Sequence, residues 1–318
     1  MEHISGGVCA AKGFQAGGIH CGIRKNRGKR DISMIISEVP ASAAAVYTSN
    51  LVKGAPIYVT QRNLAGGIAQ LAVCNSGNAN TCNADGEEVA WQMCELAGKA
   101  AGIDPHHVIV VSTGLIGQPL SIEPIAQHMG ALYAAVKGNG SQEAAEGIMT
   151  TDTRLKEVAV SFVVDGKVCH LGGIAKGSGM IHPNLATMLV FLTCDAAISP
   201  AMLRKALSDN VKDTFNMVSV DGDTSTNDMV SIMANGLAGN ALIDSENADY
   251  AVFCAALNEV TTALCRMIAK DGEGASRLLT CVVTGGKTVQ DAKLAAKSVI
   301  CSSLLKAAIF GADANWGR

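Results

Sequence analysis

A β-hairpin near the middle of the chain limits the folds open to this sequence more than any other feature. Two runs with β-strand character, residues 157–164 and 167–171, are separated only by Asp165-Gly166. An Asp-Gly pair in this position is a strong signal for a type I′ turn. Because a hairpin pairs its strands antiparallel, we expect a sheet that is not purely parallel.

Helices predicted on both sides of this hairpin make the fold a mixed one. Apolar periodicity and capping signals predict four helices, which run from Asp85 to Gly102, from Ser199-Pro200 onward, over 248–270 and over 289–308. Buried strands are also predicted over 107–112 and 278–283. The combination predicts an α/β fold, built as an α+β layered sandwich in preference to a doubly wound sheet.

Composition and charge argue against several classes of protein. Of the 318 residues, 48% are hydrophobic and 17% are charged, which is typical of a chain with a large buried core. A net charge of −3 gives no electrostatic reason to expect nucleic acid as a partner. No apolar run approaches the roughly 20 residues of a membrane span, and the first residues do not resemble a signal peptide. We therefore expect a globular protein that binds neither nucleic acid nor membrane.

The cysteines indicate a reducing compartment. The chain has 11 of them, scattered from Cys9 to Cys301 without a Cys-x-x-Cys pair and mostly beside apolar residues. Free thiols packed as small apolar side chains have this pattern, whereas a disulfide framework needs an oxidising compartment. The expected location is the cytoplasm.

The segment from Lys176 to the apolar run that begins at Met188 contains the strongest candidate for a catalytic group. Glycines and a proline in this segment favour a shaped turn before the dipeptide Ala186-Thr187, where a buried strand is expected to begin. A threonine freed at its N-terminus has an α-amine, with an ordinary pKa near 8, that can serve as base for its hydroxyl. Taken alone, an Ala-Thr pair is more often the ordinary start of a strand.

Blocks along nearly the whole chain resemble the ArgJ family: ornithine acetyltransferases, also called glutamate N-acetyltransferases, of arginine biosynthesis. The stretch 176–189 resembles the processing site of that family. The other blocks follow the order of the family and comprise 13–14, 48–56, 75–80, 111–117, 149–153, 220–228, 270–275 and 310–318. So many blocks in one order make coincidence a poor explanation.

The resemblance implies a fold and a processing event. The fold would be a DmpA/ArgJ-like layered sandwich, similar to that of self-processing N-terminal-threonine hydrolases. Autocleavage between Ala186 and Thr187 would give an α-chain of residues 1–186 and a β-chain of residues 187–318, assembled in the cytoplasm as an α2β2 heterotetramer. Family members continue beyond the block that ends here at Arg318. We therefore expect this sequence to lack the family's C-terminal segment and the substrate contacts in it.

The resemblance also assigns roles to individual residues. Thr187 would take the acetyl group of N-acetylornithine and pass it to glutamate. Thr113 and Gly114 would form the oxyanion hole. The substrate contacts carried over from the family are Thr153, Lys176, Thr187 and Glu273. The charge of Lys176 suits it to pair with a substrate carboxylate, and that of Glu273 suits it to bind the cationic amine of ornithine. Without the resemblance, Thr113, Gly114 and Thr153 are typical of ordinary turns, Lys176 and Glu273 of charged surface residues, and Thr187 of the start of a strand.

The sequence predicts no metal and no cofactor. Three acids in 221–228 lack the spacing and terminal glutamate of a calcium loop, so we expect a hydrogen-bonded turn there. The histidines show no metal-ligand spacing. Acetyl-CoA stays open as a second acetyl donor, because the family contains both kinds of enzyme. A self-processing amidohydrolase or aminopeptidase, in which water replaces glutamate, and an inactive truncated form are the alternatives.

Overall fold

The computed structural model of the chain describes residues 1–182 and 188–317. The strands within these residues, numbered β1 to β9, are Glu2–Ile4, Phe14–Ile19, Ile32–Tyr47, Ile68–Asn78, Val108–Leu115, Lys156–Val164, Lys167–Lys176, Leu189–Cys194 and Met229–Ala234. The α-helices within them, numbered α1 to α8, are Ala55–Asn63, Gly86–Ala101, Glu123–Ala134, Ser141–Ile148, Pro200–Asp213, Ala248–Lys270, Val289–Ile300 and Ser303–Phe310.

The described strands join into one bent sheet. Their order is β1-β6-β7-β8-β9-β3-β4-β5, and β2 pairs with β3 off this path. The first part of the long strand β3 pairs with β2 and β4, whereas Ser42–Tyr47 pairs with β9. The register of β3 against β4 shifts between Ile36 and Ala41, and such irregularities bend a strand. Strand β3 therefore belongs to two half-sheets, one made with β2, β4 and β5 and the other with β1 and β6 to β9.

Three apolar clusters separate the layers of the fold. The first lies between strands β6 to β9 and helices α5 and α6, the second between the two half-sheets, and the third between β3 to β5 and helices α2 and α3. One strand contributes to two clusters because its side chains alternate between the two faces of the sheet. In β8, Val190 and Leu192 enter the first cluster, while Leu189 and Phe191 enter the second. Both faces of each half-sheet are thus covered. The prediction of a layered α/β sandwich is confirmed.

The predicted hairpin is present as β6 and β7. The two strands pair antiparallel, with Val164 opposite Lys167. Asp165 and Gly166 have φ values of 50° and 67°, the positive angles that a type I′ turn requires at both central positions. The turn chemistry of two residues therefore fixes the register of the hairpin.

Helix α6, Ala248–Lys270, has the predicted bounds and supplies much of the first cluster. Among the described residues it is the one helix whose length and composition would suffice to cross a membrane. Its buried side chains, including Phe253, Leu257 and Leu264, lie in the cluster formed with β6 and β7. Packing against the sheet accounts for its apolar character.

Three predictions of secondary structure were wrong. The helix expected over 289–308 is divided into α7 and α8, because the Ser302 hydroxyl accepts the Leu305 N–H and starts a new helix. Residues 278–283 are not a strand: none of the described strands pairs with them, and an extended segment needs a partner to become one. Strand β5 continues to Leu115, beyond the predicted end at residue 112, so Thr113 and Gly114 lie within the end of the strand.

Candidate active site

Thr113 and Gly114 lie at the end of β5, where its pairing with the parallel strand β4 becomes irregular. Gly77 stands opposite Gly114, and Asn78 pairs with both Thr113 and Leu115. The φ of Gly114 is 133°, which favours glycine. A Cβ at this position would overlap the carbonyl carbon of Gly77. The irregular pairing therefore requires a glycine at 114.

Buried amide side chains hold the end of β5 in place. The Ser112 hydroxyl donates to Asn75 Oδ1 at 2.6 Å. The Asn227 amide donates to the carbonyl oxygens of Ser112, at 3.0 Å, and Ala79, at 2.6 Å. Because these groups are buried and hydrogen-bonded, they fix the backbone from which the Thr113 side chain projects.

Lys176, the last residue of β7, reaches across to β5. Its Nζ donates to Thr113 Oγ1 at 3.2 Å. Thr113 is buried and Lys176 is half-buried. Two residues that are 63 positions apart in the sequence, and that were predicted to act in one site, are thus in direct contact.

A buried ionic cluster of Asp152, Lys156 and Asp271 joins three segments of the site. Lys156 is 1% exposed, and its Nζ donates to Asp152 Oδ1 at 2.7 Å and to Asp271 Oδ2 at 2.6 Å. Asp152 also accepts the N–H of Gly177, at 2.7 Å, and Asp271 accepts the N–H of Thr153, at 3.1 Å. The Thr153 loop, the turn after Lys176 and the end of α6 are therefore fixed to one another.

Both carboxyl groups of the ionic cluster favour the ionised form. Burial opposes ionisation of Asp152, but the charges of Lys176 and Lys156 and the Gly177 N–H outweigh it, so its pKa lies below the ordinary 3.8. Burial likewise opposes ionisation of Asp271. Hydrogen bonds from Lys156 and Thr153 hold the pKa of Asp271 below 3.8 as well. The cluster is thus a lysine bound between two carboxylates.

Thr153 and Glu273 line a cavity of about 440 Å³ together with Ser178. The Thr153 hydroxyl donates to Asp271 Oδ1, so it has only lone pairs to offer a ligand. The backbone N–H of Glu273 donates to the Ser178 carbonyl at 2.9 Å. Its exposed carboxylate lies against Gly179, where a Cβ would be 2.5 Å from it. Lys176 and Thr113 are not among the residues that line this cavity.

Ala186 and Thr187 lie outside the described residues, but the strand that follows them is well defined. Strand β8 runs parallel to β9 with Leu189 opposite Met229. The Met188 carbonyl accepts the Met229 N–H at 2.9 Å. The position of β8 is therefore fixed from Met188 onward.

The acidic block 221–228 forms the hydrogen-bonded turn that its sequence predicted. Asp221 accepts the N–H groups of Met180, at 2.5 Å, and Ile181, at 2.9 Å. The Thr224 hydroxyl donates to the His182 carbonyl at 3.0 Å. The turn thus holds the segment that leads toward the predicted cleavage position.

Sequence reasoning missed the ionic cluster and the burial of Asp228. Lysine is rarely buried, so nothing in the sequence distinguishes Lys156 from a surface residue. Asp228 precedes β9 and is 3% exposed, and its Oδ2 has no hydrogen-bond partner in the described part of the chain. Burial raises its pKa well above the ordinary value, against the opposing effects of Lys176 and Ser225. Both features depend on contacts between distant segments.

The fold and the site geometry together define a class of layered α/β sandwich. A β-aminopeptidase from a Burkholderia species shares this fold, with a TM-score of 0.52 over 86% of this chain and 88% of that chain, at 13% identity. The chain itself belongs to the ArgJ family, whose model matches residues 15–318. The resemblance deduced from the sequence blocks is confirmed.

Curated relatives and solved structures agree with this family. An "Arginine biosynthesis bifunctional protein ArgJ" of Symbiobacterium thermophilum is 49% identical over 100% of this chain and 80% of that protein. ArgJ 1 of Clostridium acetobutylicum is 48% identical over 96% of this chain and 75% of that protein. A crystal structure of ArgJ from Bacillus halodurans is 40% identical, with a TM-score of 0.56, and covers 58% of this chain and 97% of that chain. An ornithine acetyltransferase from Mycobacterium tuberculosis, complexed with ornithine, is 34% identical, with a TM-score of 0.53, and covers 58% of this chain and 99% of that chain.

Proposed function

We propose that this chain is an acetyltransferase of arginine biosynthesis that moves the acetyl group of N-acetylornithine to glutamate in the cytoplasm. The contact between Lys176 and Thr113 carries the proposal, because it joins the predicted oxyanion hole to a predicted substrate contact. Membership of the ArgJ family supports the class of reaction. The relative complexed with ornithine supports the class of substrate.

The proposed nucleophile, Thr187, is released when the precursor cleaves itself after Ala186. The products are an α-chain of residues 1–186 and a β-chain of residues 187–318, assembled as α2β2. The solved chains of the Bacillus halodurans ArgJ and of the Mycobacterium tuberculosis ornithine acetyltransferase are covered to 97% and 99%. Each matches 58% of the 318 residues, or about 184, which is close to the proposed length of the α-chain. This agreement supports a division of the chain at the Ala186–Thr187 bond.

The chemistry follows a ping-pong cycle. Thr187 Oγ1 attacks the acetyl carbonyl of N-acetylornithine while the α-amine of Thr187 takes the hydroxyl proton. The Thr113 hydroxyl and the Gly114 N–H donate to the oxyanion. Collapse breaks the carbon–nitrogen bond, ornithine leaves with that proton, and an acetyl-Thr187 ester remains. The amine of glutamate then attacks the ester, and the same steps in reverse restore the free threonine.

The cavity beside the ionic cluster is the proposed substrate pocket. Its volume of about 440 Å³ fits an amino acid of this size. The Glu273 carboxylate would bind the side-chain ammonium of ornithine. The Thr153 hydroxyl, whose own proton is held by Asp271, would accept an N–H of the substrate. Both substrates are α-amino acids, so one pocket can bind the backbone of either.

Intact-mass analysis after addition of N-acetylornithine tests the proposal directly. We expect two fragments that join at Ala186–Thr187, with one acetyl group on the β-chain. Thr187→Ala should abolish both cleavage and acetylation, because it removes the nucleophile of both steps. Thr262→Ala, at an exposed position on α6, is the matched control and should behave as the wild type. A wild-type chain that stays whole on prolonged incubation would contradict processing.

The acceptor decides between transfer and hydrolysis. We expect release of ornithine to depend on glutamate and acetylglutamate to form in equal amount. Release that is as fast without glutamate would favour the amidohydrolase alternative. Acetyl-CoA offered in place of N-acetylornithine tests the second donor, since it should acetylate the same threonine if the enzyme is bifunctional.

A further inference from the structure

The hydrogen bond between Lys176 and Thr113 determines the polarity of the Thr113 hydroxyl. A lysine ammonium has three donors and no acceptor, so Thr113 Oγ1 is the acceptor of this bond, at 3.2 Å. The proton of Thr113 therefore remains to be donated elsewhere. Within residues 1–182 and 188–317, no hydrogen bond uses it. A hydroxyl held as a donor is what an oxyanion hole requires.

Both partners of this bond are anchored by rigid strands. Lys176 pairs with Leu189 of β8, and the N–H of the next residue, Gly177, donates to Asp152. Thr113 is buried at the end of β5. Strands β5 and β7 belong to different half-sheets, so the bond spans the gap between them. Groups fixed to such strands keep their geometry better than groups on loops.

The charge of Lys176 acts on both sides of the gap. It lowers the pKa of Asp152, against the effect of burial. It also lowers the pKa of Cys74 on β4, although burial dominates there and raises that pKa to about 12. A negative charge that develops beside Thr113 would lie within reach of the same ammonium, one hydroxyl group away.

We infer that Lys176 is a positioning residue of the oxyanion hole, which acts through Thr113 and not only as a contact for the substrate carboxylate. The inference rests on the proposed role of Thr113 as an oxyanion donor. In the transition state the ammonium donates to Thr113 Oγ1, and the Thr113 hydroxyl donates to the oxyanion. The lysine neither gains nor loses a proton and forms no covalent bond.

A donor without a carboxylate separates the two roles of Lys176. p-Nitrophenyl acetate carries an activated acetyl group but has no carboxylate for a lysine to bind. Lys176→Met should slow acetylation by this ester at least about tenfold, since loss of a whole oxyanion donor costs about 10²- to 10³-fold. Lys167→Met, at the exposed first residue of the same strand, is the matched control and should stay within about twofold of the wild type.

A double-mutant cycle tests whether Lys176 acts through Thr113. Thr113→Val removes the hydroxyl, so the rate of the double variant should equal that of Thr113→Val alone within about threefold. Losses that multiply would overturn the inference. An unchanged rate of Lys176→Met with p-nitrophenyl acetate, together with a raised KM for N-acetylornithine, would overturn it too and leave the lysine as a carboxylate contact.

Intact mass shows first whether each variant has been processed. If Lys176→Met stays whole while Thr113→Val is cleaved, the lysine acts on something other than Thr113 and the inference fails. If both stay whole, the conservative variants decide: Lys176→Arg and Thr113→Ser keep the donor and the hydroxyl and should restore processing and acetylation, whereas a Lys176→Arg chain that is processed but not acetylated by p-nitrophenyl acetate would overturn the inference. Wild-type enzyme that reacts with p-nitrophenyl acetate but not with N-acetylornithine contradicts the proposed function alone, and the cycle still decides the inference.

Discussion

At the residue scale, Gly114 carries the tightest constraint in the candidate site. Its φ of 133° and its close approach to Gly77 leave no room for a side chain, and both follow from the irregular pairing of β4 and β5. The glycines in 111–117 are visible in the sequence as a turn signal, but their separate roles are not. Gly117 has a φ of 77° with open space around it. Only the structure distinguishes the two.

Replacement of Gly114 and of Gly117 by alanine should therefore affect stability and activity unequally. Gly117→Ala should lower the free energy of unfolding by about 1–2 kcal/mol, the cost of a left-handed backbone for a residue with a Cβ. Gly114→Ala should lower it by more, because β4 must also move, and it should abolish acetylation by p-nitrophenyl acetate. Urea denaturation of both variants measures the difference. Equal losses of stability and full activity would show that β4 and β5 adapt without cost.

At the element scale, local signals account for the correct predictions. Asp165-Gly166 determines the hairpin, and Ser199-Pro200 starts α5, where the Ser199 hydroxyl accepts the Met202 N–H. Ser302 carries the same kind of signal, because its hydroxyl accepts the Leu305 N–H and so divides the helix predicted over 289–308 into α7 and α8. The strand predicted over 278–283 is absent for another reason. Their apolar, β-favouring sequence is suited to a strand, but a partner strand is not a local property.

The ionic cluster shows what sequence reasoning could not reach in the site. The resemblance to the ArgJ family was the only ground for placing Thr153, Lys176 and Glu273 in the candidate site. The group that holds their segments together is Lys156, whose two partners lie 4 and 115 positions away in the sequence. A buried lysine has no local signature, because lysine is ordinarily a surface residue.

Replacing this lysine should make the stability of the protein depend on pH in a new way. Lys156→Met leaves two buried carboxylates without their partner, which should cost about 3–5 kcal/mol at neutral pH. In the wild type the pKa values of Asp152 and Asp271 lie below 3.8, so the stability they contribute is present above that pH and is lost as the pH falls through their folded values.

The stability lost through Lys156→Met should consequently be smaller at lower pH. In the variant, the unpaired carboxyl groups of Asp152 and Asp271 can take up protons as the pH falls, and a neutral carboxyl group is less costly to bury. Urea denaturation at pH 7 and near pH 4 measures the change. Lys99→Met, at the exposed end of α2, is the control and should differ little from the wild type at either pH. A loss that is equally large at both pH values would mean that lost packing, and not lost charge pairing, destabilises the variant.

At the scale of the whole molecule, the proposed cleavage would divide the sheet between two chains without separating them. The α-chain would keep β1 to β7, and the β-chain would keep β8 and β9, which pair with β7 and β3 through six residue pairs each. Helix α6 of the β-chain packs on β6 and β7. The first and second apolar clusters would both be built from the two chains. The proposed processing would therefore leave the core intact.

The two fragments should consequently migrate as one particle after cleavage. We expect them to co-elute in size-exclusion chromatography and to separate only in denaturant, because separation would expose both shared clusters to water. Light scattering should give about twice the 32.7 kDa of one chain if the proposed α2β2 assembly forms. Uncleaved Thr187→Ala should elute at the same volume, since its sheet contains the same strands. Fragments that separate in buffer would show that the pairing of β8 with β7 depends on the covalent link between them.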